Sequence, residues 1–177
     1  MSDAQPNKQE IRQAQLPHQL FLFNTIGNHV LLTVITISVA ISNPLLTLLI
    51  PAISVAIIGY TLIKGPAMIK HESMVVRCNW GVVVRRTRIF LIGYAALAFA
   101  ATLGWILHTY VGVMKELLFA LVGGLGLLPF MVMILALTII ESETLHHAGQ
   151  GFTPDWAIKR FGTEEEKRAL EQEVAAS

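Results

Sequence analysis

The chain has 177 residues, of which 54% are hydrophobic and only 14% are charged, and its mean hydropathy is +0.59. Soluble domains usually carry about 25% charged residues, so this composition excludes an ordinary water-soluble domain. The net charge of +1 says little about partners, because the distribution of charge matters more than its sum, and a nucleic-acid partner is not indicated. The single cysteine, Cys78, excludes an internal disulfide.

The first 19 residues form a polar arm, for which we expect either a short surface helix around Gln9–Leu16 or no fixed structure. Beyond it, residues 13–63, 89–114 and 117–140 contain no Asp, Glu, Lys or Arg. A helix needs about 20 apolar residues to cross a bilayer core. The first stretch fits two spans around a turn at Ser42–Pro44, and each of the others fits one. We therefore predict four transmembrane helices, at about residues 20–41, 45–63, 89–111 and 117–140.

The distribution of lysine and arginine predicts the orientation. The segment 64–88, between spans 2 and 3, carries six basic residues against one acid, whereas the other two connections have no excess of positive charge. Basic loops stay in the cytoplasm, so this segment and both termini are expected there. The predicted fold is an all-α integral membrane protein of the bacterial inner membrane, with two antiparallel hairpins and a cytoplasmic helical tail over 141–177. We expect four arginines of the basic segment to face anionic lipid: Arg77, Arg85, Arg86 and Arg88.

Local structure in the two larger cytoplasmic segments is predicted from short motifs. Segment 64–88 leaves two alternatives, a small β-hairpin around Asn79–Gly81 or an early helical start of span 3 near Trp80, which would lie at the membrane interface. In the tail, Thr153 predicts the N-cap of a short helix over about 154–161. Thr163 and Glu166 form a capping-box pattern for a second helix over about 164–175.

Span 3 carries small residues at spacings of three, four and four, which places them on one helical face: Gly93, Ala96, Ala100 and Gly104. Such a stripe lets another helix backbone approach closely, and close packing drives helix association in lipid. Two interpretations stay open, packing within this bundle and an interface with a different subunit.

Span 1 carries polar residues on one side: Thr25, Asn28, His29, Thr33 and Thr36. Asn and His are costly in hydrocarbon unless paired, so we expect this polar stripe to face protein or water. Interhelical hydrogen bonding is the favoured reading, while a solute or proton path, a quinone contact and a haem ligand stay open. His29 and His108 are the candidate cofactor ligands, but their predicted depths differ by roughly 15 Å at 1.5 Å per residue. This excludes one haem bound by both histidines within this subunit and leaves open a single histidine that completes a site with another subunit. No cofactor is predicted.

Four further histidines fall in the predicted cytoplasmic segments: His18, His71, His146 and His147. They could approach Cys78 and the nearby acids Glu141 and Glu143, but no metal-ligand spacing is present. We therefore expect surface or interface histidines and no metal site. The sequence contains no nucleophile-elbow motif and no phosphate-binding loop, and no carboxylate falls within a predicted span. We therefore do not expect an enzyme.

These patterns predict a non-enzymatic structural or accessory subunit of a larger inner-membrane complex, in contact with other membrane subunits. Respiratory, photosynthetic, secretion and conjugation machineries are the host classes considered. One alternative is a redox membrane anchor that lines a quinone pocket or donates a histidine to a shared haem. Another is a small channel or exporter formed by self-association.

Overall fold

The computed structural model describes residues 6–40 and 43–176, and every secondary-structure element within these ranges is helical. The α-helices described there, α1 to α8, are Lys8–Leu22, Thr33–Ala40, Leu49–Met68, Met74–Ile106, Lys115–Leu121, Leu128–Gly149, Asp155–Phe161 and Glu164–Ala176. Further helical stretches adjoin them, π-helical at Phe23–Leu32, Leu107–Val111 and Val122–Leu127, and 3-10 at Pro44–Leu48. Ser42, from the predicted turn, lies outside the described residues, whereas the Asn43 side chain accepts a hydrogen bond from the Leu45 amide at 3.3 Å.

Four continuous helical runs are long and apolar enough to cross a membrane: Lys8–Thr36, Leu45–Met68, Met74–Val111 and Lys115–Gly149. This confirms the predicted all-α class and the four candidate spanning helices. The third run has 38 residues. At 1.5 Å per residue it is about 57 Å long, nearly twice the hydrocarbon core, so part of it extends beyond the predicted span.

The segment before span 3 is helical, and the β-hairpin alternative is wrong. Helix α4 begins at Met74, six residues before Trp80. The Asn79–Gly81 sequence is typical of a turn, but here the Asn79 amide donates to the Val75 carbonyl one helical turn earlier, at 2.8 Å. A β-carbon added at Gly81 would stand 2.6 Å from the Phe161 ring. The absence of a side chain at Gly81 therefore lets this ring pack against α4.

The N-terminal arm is an ordered part of the first helical run. Asn7 and Glu10 form a capping box, in which Asn7 Oδ1 accepts from the Glu10 amide at 2.9 Å and Glu10 Oε2 accepts from the Asn7 amide at 2.8 Å. Helix α1 then continues through Ala14, Pro17 and His18, all of which are buried. The helical alternative for Gln9–Leu16 is therefore confirmed, as part of a longer helix that becomes buried at Pro17 and His18.

The chain divides into two compact units, residues 1–87 with 140–177 and residues 88–139. The first, unit 1, has a core in which Cys78 and Val82 of α4 pack against Ala157 and Ile158 of α7 and Leu170 of α8. In the second, unit 2, helical segments approach each other closely at two glycines, Gly93 beside Met133 and Gly104 beside Val122.

Of the two caps predicted for the tail helices, the cap of α8 is confirmed and the cap of α7 is wrong. Thr163 and Glu166 form the predicted capping pair, with the Thr163 amide donating to Glu166 Oε2 at 2.7 Å and the Glu166 amide to Thr163 Oγ1 at 3.3 Å. Thr153, however, does not cap α7. Pro154 occupies the N-cap position, and the buried Thr153 hydroxyl has no hydrogen-bond partner among the described residues.

Candidate functional site

A buried charged cluster lies where α1, α4 and α6 of unit 1 meet. The Glu141 carboxylate has no exposed surface and accepts hydrogen bonds through both oxygens. His18 Nδ1, also fully buried, donates to Oε1 at 2.6 Å, and the Arg86 guanidinium donates to Oε2. A buried carboxylate is stable only when it is paired in this way. Glu141 therefore joins α1 and α4 to its own helix, α6.

His18 also has a second hydrogen-bond partner, the Asn79 side chain. Asn79 donates through its amide nitrogen to the Val75 carbonyl, so its Oδ1 must face His18 Nε2, at 2.9 Å. That oxygen can only accept, and the carboxylate beside Nδ1 can also only accept. An acceptor therefore faces each ring nitrogen of His18, an arrangement in which a doubly protonated ring would satisfy both contacts.

With His18 protonated, the cluster holds two cations against one anion. Arg86 also donates to Thr144 Oγ1 at 2.9 Å, and that hydroxyl in turn donates to the Ile140 carbonyl at 2.7 Å. The Thr144 hydroxyl oxygen therefore gives the guanidinium a second acceptor beside Glu141. Removal of Glu141 would leave His18 and Arg86 facing each other without a counter-charge.

Trp80 closes the cluster against the N-terminal helix. Pro17 has no N–H, so the Gln13 carbonyl four residues earlier lacks its usual intrahelical donor. The Trp80 indole N–H donates to that carbonyl at 3.0 Å. Trp80 is 1% exposed, so its ring contacts protein, and its expected level at the membrane interface stays a prediction. Its role is to satisfy the backbone at the proline beside His18.

We expect Trp80→Phe to lower the free energy of unfolding by about 2 kcal/mol, because the Gln13 carbonyl is left without a donor. Trp156→Phe is the matched control, since Trp156 is 40% exposed and should change stability by less than about 1 kcal/mol. Thermal unfolding of the purified protein in detergent measures both. Equal effects of the two substitutions would contradict the role given to Trp80.

The basic segment does not form one lipid-facing surface. Arg77 is 7% exposed and the Arg86 side chain is 12% exposed. Both make ion pairs within unit 1, which corrects the expectation for these two. Arg85 is exposed and lies over the Trp156 ring, with its guanidinium carbon 5.7 Å from the ring centroid. Arg88 is exposed.

Arg77 holds the C-terminal tail to the start of α4. Its Nη2 donates to both oxygens of Glu166, at 2.7 and 2.6 Å, and its Nε donates to the Phe161 carbonyl at 3.0 Å. Nη1 donates to the carbonyls of His71 and Glu72, at 2.6 and 3.1 Å. One guanidinium therefore joins the turn before α4 to the end of α7 and the start of α8.

The polar stripe of span 1 faces protein, and its asparagines bond to the next helix. Asn28 donates to the Ile50 carbonyl at 2.9 Å and to Asn24 Oδ1 at 3.2 Å, while Asn24 donates to Ser54 Oγ at 3.2 Å. Thr25, Asn28, His29 and Thr36 are buried and Thr33 is half-buried, and the hydroxyls of Thr25 and Thr36 bond to backbone carbonyls of their own helix. Asn24 was not singled out from the sequence.

The candidate cofactor ligands each contact their own backbone. His29 Nδ1 lies 2.7 Å from the Asn24 carbonyl, within the π-helical stretch of unit 1. His108 Nδ1 lies 3.0 Å from the Val113 carbonyl in unit 2. Among residues 6–40 and 43–176, no three His, Cys, Asp or Glu side chains come together as a metal site requires.

The small-residue stripe lines an open groove in unit 2. A β-carbon on Gly93 would stand 2.7 Å from Met133 Sδ, and one on Gly104 would stand 3.2 Å from Val122. Both glycines, together with Ala96 and Ala100, line a groove of about 460 Å³. The stripe therefore contacts the chain's own residues 118–133 while part of it stays accessible.

The class that these features define is a multi-pass membrane protein with a polar, ion-paired cluster beside its apolar helices. No protein-family model matches this chain, and no curated protein or solved structure is significantly similar to it. The sequence raised an approach of His18 to Glu141 only as a possible metal site, and it did not indicate Arg86 or Asn79 as their partners. The signals that could have found the cluster are the adjacent Pro17, which predicts an unpaired carbonyl, and the position of Glu141 directly after an apolar run.

Proposed function

We propose that this chain is a non-enzymatic accessory subunit of a larger inner-membrane complex, with both termini in the cytoplasm. The observation that carries the proposal is the open groove of unit 2, with small residues along one wall. Lipid tails are as apolar as leucine, so they gain little from such a surface, whereas a helix backbone can approach it closely. A transmembrane helix of another subunit is the proposed occupant.

The buried cluster supports a structural role. His18, Asn79 and Glu141 are fully enclosed and hydrogen-bonded, whereas a catalytic acid or base must reach its substrate. An enclosed hydrogen-bonded network instead holds helices in fixed positions. This supports a scaffold rather than an enzyme.

The cluster also supports the proposed topology. His18 lies just before predicted span 1, Arg86 just before span 3 and Glu141 just after span 4. Direct contact among them is expected if these three ends lie on one side of the membrane. In unit 2, Gly93 faces Met133 whereas Gly104 faces Val122, the reversed order expected of an antiparallel pair.

Affinity purification from the native membrane in mild detergent, followed by quantitative mass spectrometry, tests the proposal. We expect a companion membrane protein in fixed stoichiometry. Ala96→Leu should reduce its recovery about fivefold or more, because an extra side chain in the groove blocks close packing. Ala98→Leu, the same change at an exposed position outside the groove, should leave recovery unchanged.

Two outcomes would contradict the subunit proposal. Recovery of the chain alone, or only of further copies of itself, would favour the self-associating channel or exporter. A Soret band or a bound quinone in the purified sample would favour the redox anchor.

A further inference from the structure

A second groove, of about 610 Å³, lies within unit 1 beside the buried cluster. Its wall combines opposite charges, because Arg86 and Lys159 line it together with Glu143 and Asp155. The lysine and both acids are exposed, and none of the three has an ion-pair partner among the described residues. The groove therefore presents two cationic and two anionic groups that can bind a ligand.

Arg86 retains donors for such a ligand. Its bonds to Glu141 and Thr144 both use Nη1. Within residues 6–40 and 43–176, Nε and Nη2 have no acceptor, although the side chain is only 12% exposed. A guanidinium with a free edge binds phosphate oxygens well, because its N–H groups form a planar fork.

The apolar part of the wall indicates a lipid. Ile140, the last residue of predicted span 4, lines the groove, as do Phe152 and Trp156, which are 50% and 40% exposed. Exposed aromatic side chains of this kind are typical of the level of lipid headgroups. A ligand that fits must join a charged head to an apolar body.

We propose that this groove binds a phospholipid whose headgroup carries both a phosphate and a primary amine, as phosphatidylethanolamine does. Arg86 and Lys159 bind the phosphate, and Glu143 and Asp155 bind the ammonium group. A purely anionic headgroup would leave the two carboxylates facing negative charge. A trimethylammonium headgroup has no N–H to donate, and the Trp156 ring that could receive it is occupied by Arg85.

The inference does not depend on the accessory-subunit role, and lipid binding by the full-length protein tests it directly. Native mass spectrometry would compare phosphatidylethanolamine, phosphatidylcholine and phosphatidylglycerol with identical acyl chains. We expect the wild type to retain phosphatidylethanolamine about fivefold more strongly than either of the others, the ratio that one or two exposed ionic hydrogen bonds supply.

Variants of exposed residues separate the two halves of the site. Glu143→Gln with Asp155→Asn should abolish the preference for the primary amine, whereas Lys159→Gln should weaken retention of all three lipids. Glu171→Gln with Glu173→Gln, two exposed acids on α8, is the matched control and should change neither. Protection of the buried Cys78 thiol from labelling verifies that each variant is folded.

Three results would overturn the proposal. Equal retention of the three lipids would show that the groove does not select a headgroup. Strongest retention of phosphatidylglycerol would show a simple anion site. Displacement of the lipid by an equal concentration of free phosphoethanolamine would show that the ligand is a soluble compound.

Discussion

Glu141→Gln should destabilise the folded protein by about 3–5 kcal/mol, the largest effect that we expect from one substitution. Glutamine keeps the size of the side chain and removes its charge. Arg86, and His18 when it is protonated, then remain largely enclosed without a counter-ion. In addition, a glutamine amide has one acceptor oxygen where the carboxylate has two, and its NH2 group would face a donor. One of the two hydrogen bonds that His18 and Arg86 make to Glu141 is therefore lost.

The only cysteine of the chain provides the measurement. Cys78 is a free thiol with no exposed surface, in the core of unit 1, so a thiol-reactive fluorophore labels it only after unfolding. Thermal unfolding in detergent, followed by this labelling, should show a large drop in midpoint for Glu141→Gln. Glu143→Gln, the same change at an exposed position two residues later, should unfold at the wild-type temperature. Equal midpoints for the two variants would refute the role given to Glu141.

A double substitution tests the charge argument separately from the loss of a contact. His18→Gln removes one of the cations that Glu141 neutralises. If charge imbalance dominates, His18→Gln combined with Glu141→Gln should cost at least about 1 kcal/mol less than the sum of the two single changes. Additive effects would indicate that packing, not charge, determines the stability of the cluster.

The spans were predictable because a single physical requirement determines them. A helix in lipid must satisfy its own backbone and present apolar side chains, so a long stretch without charge is sufficient to indicate one. The capping pair of Thr163 and Glu166 was predictable for a similar reason, since its partners are three residues apart. Both depend on local sequence alone.

The cluster could not be predicted in this way. Glu141 lies 123 positions from His18 and 55 from Arg86, and no local pattern records that they meet. Arginine in a basic segment is compatible with a lipid headgroup and equally with a buried carboxylate. Only the packing of α1, α4 and α6 distinguishes the two. The same reason explains Trp80, whose partner carbonyl at Gln13 is 67 positions away.

Arg77→Gln should release the C-terminal tail from the start of α4. The change removes the bidentate pair with Glu166 and also the bonds to the Phe161, His71 and Glu72 carbonyls. We expect a loss of about 2–3 kcal/mol, less than for Glu141 because the Glu166 side chain is 15% exposed and water replaces part of the interaction. Limited proteolysis measures the effect as faster cleavage between α6 and α8. Lys167→Gln, which removes only the exposed pair with Glu164, should leave the cleavage rate unchanged.

The same interaction predicts a pH dependence. Burial alone would raise the pKa of Glu166, but the hydrogen bonds from Arg77 and Thr163 and the positive charge of Arg77 outweigh it and lower the pKa. The pair therefore stabilises tail docking fully above the pKa of an unfolded glutamate, about 4.3, and that stabilisation is lost as the pH falls through the lower pKa of the folded protein. Wild-type cleavage should accelerate over this range with an acid-stable protease, whereas Arg77→Gln should cleave rapidly throughout. A wild-type rate that stays constant across this range would show that the apolar contacts of α7 and α8 hold the tail without the ion pair.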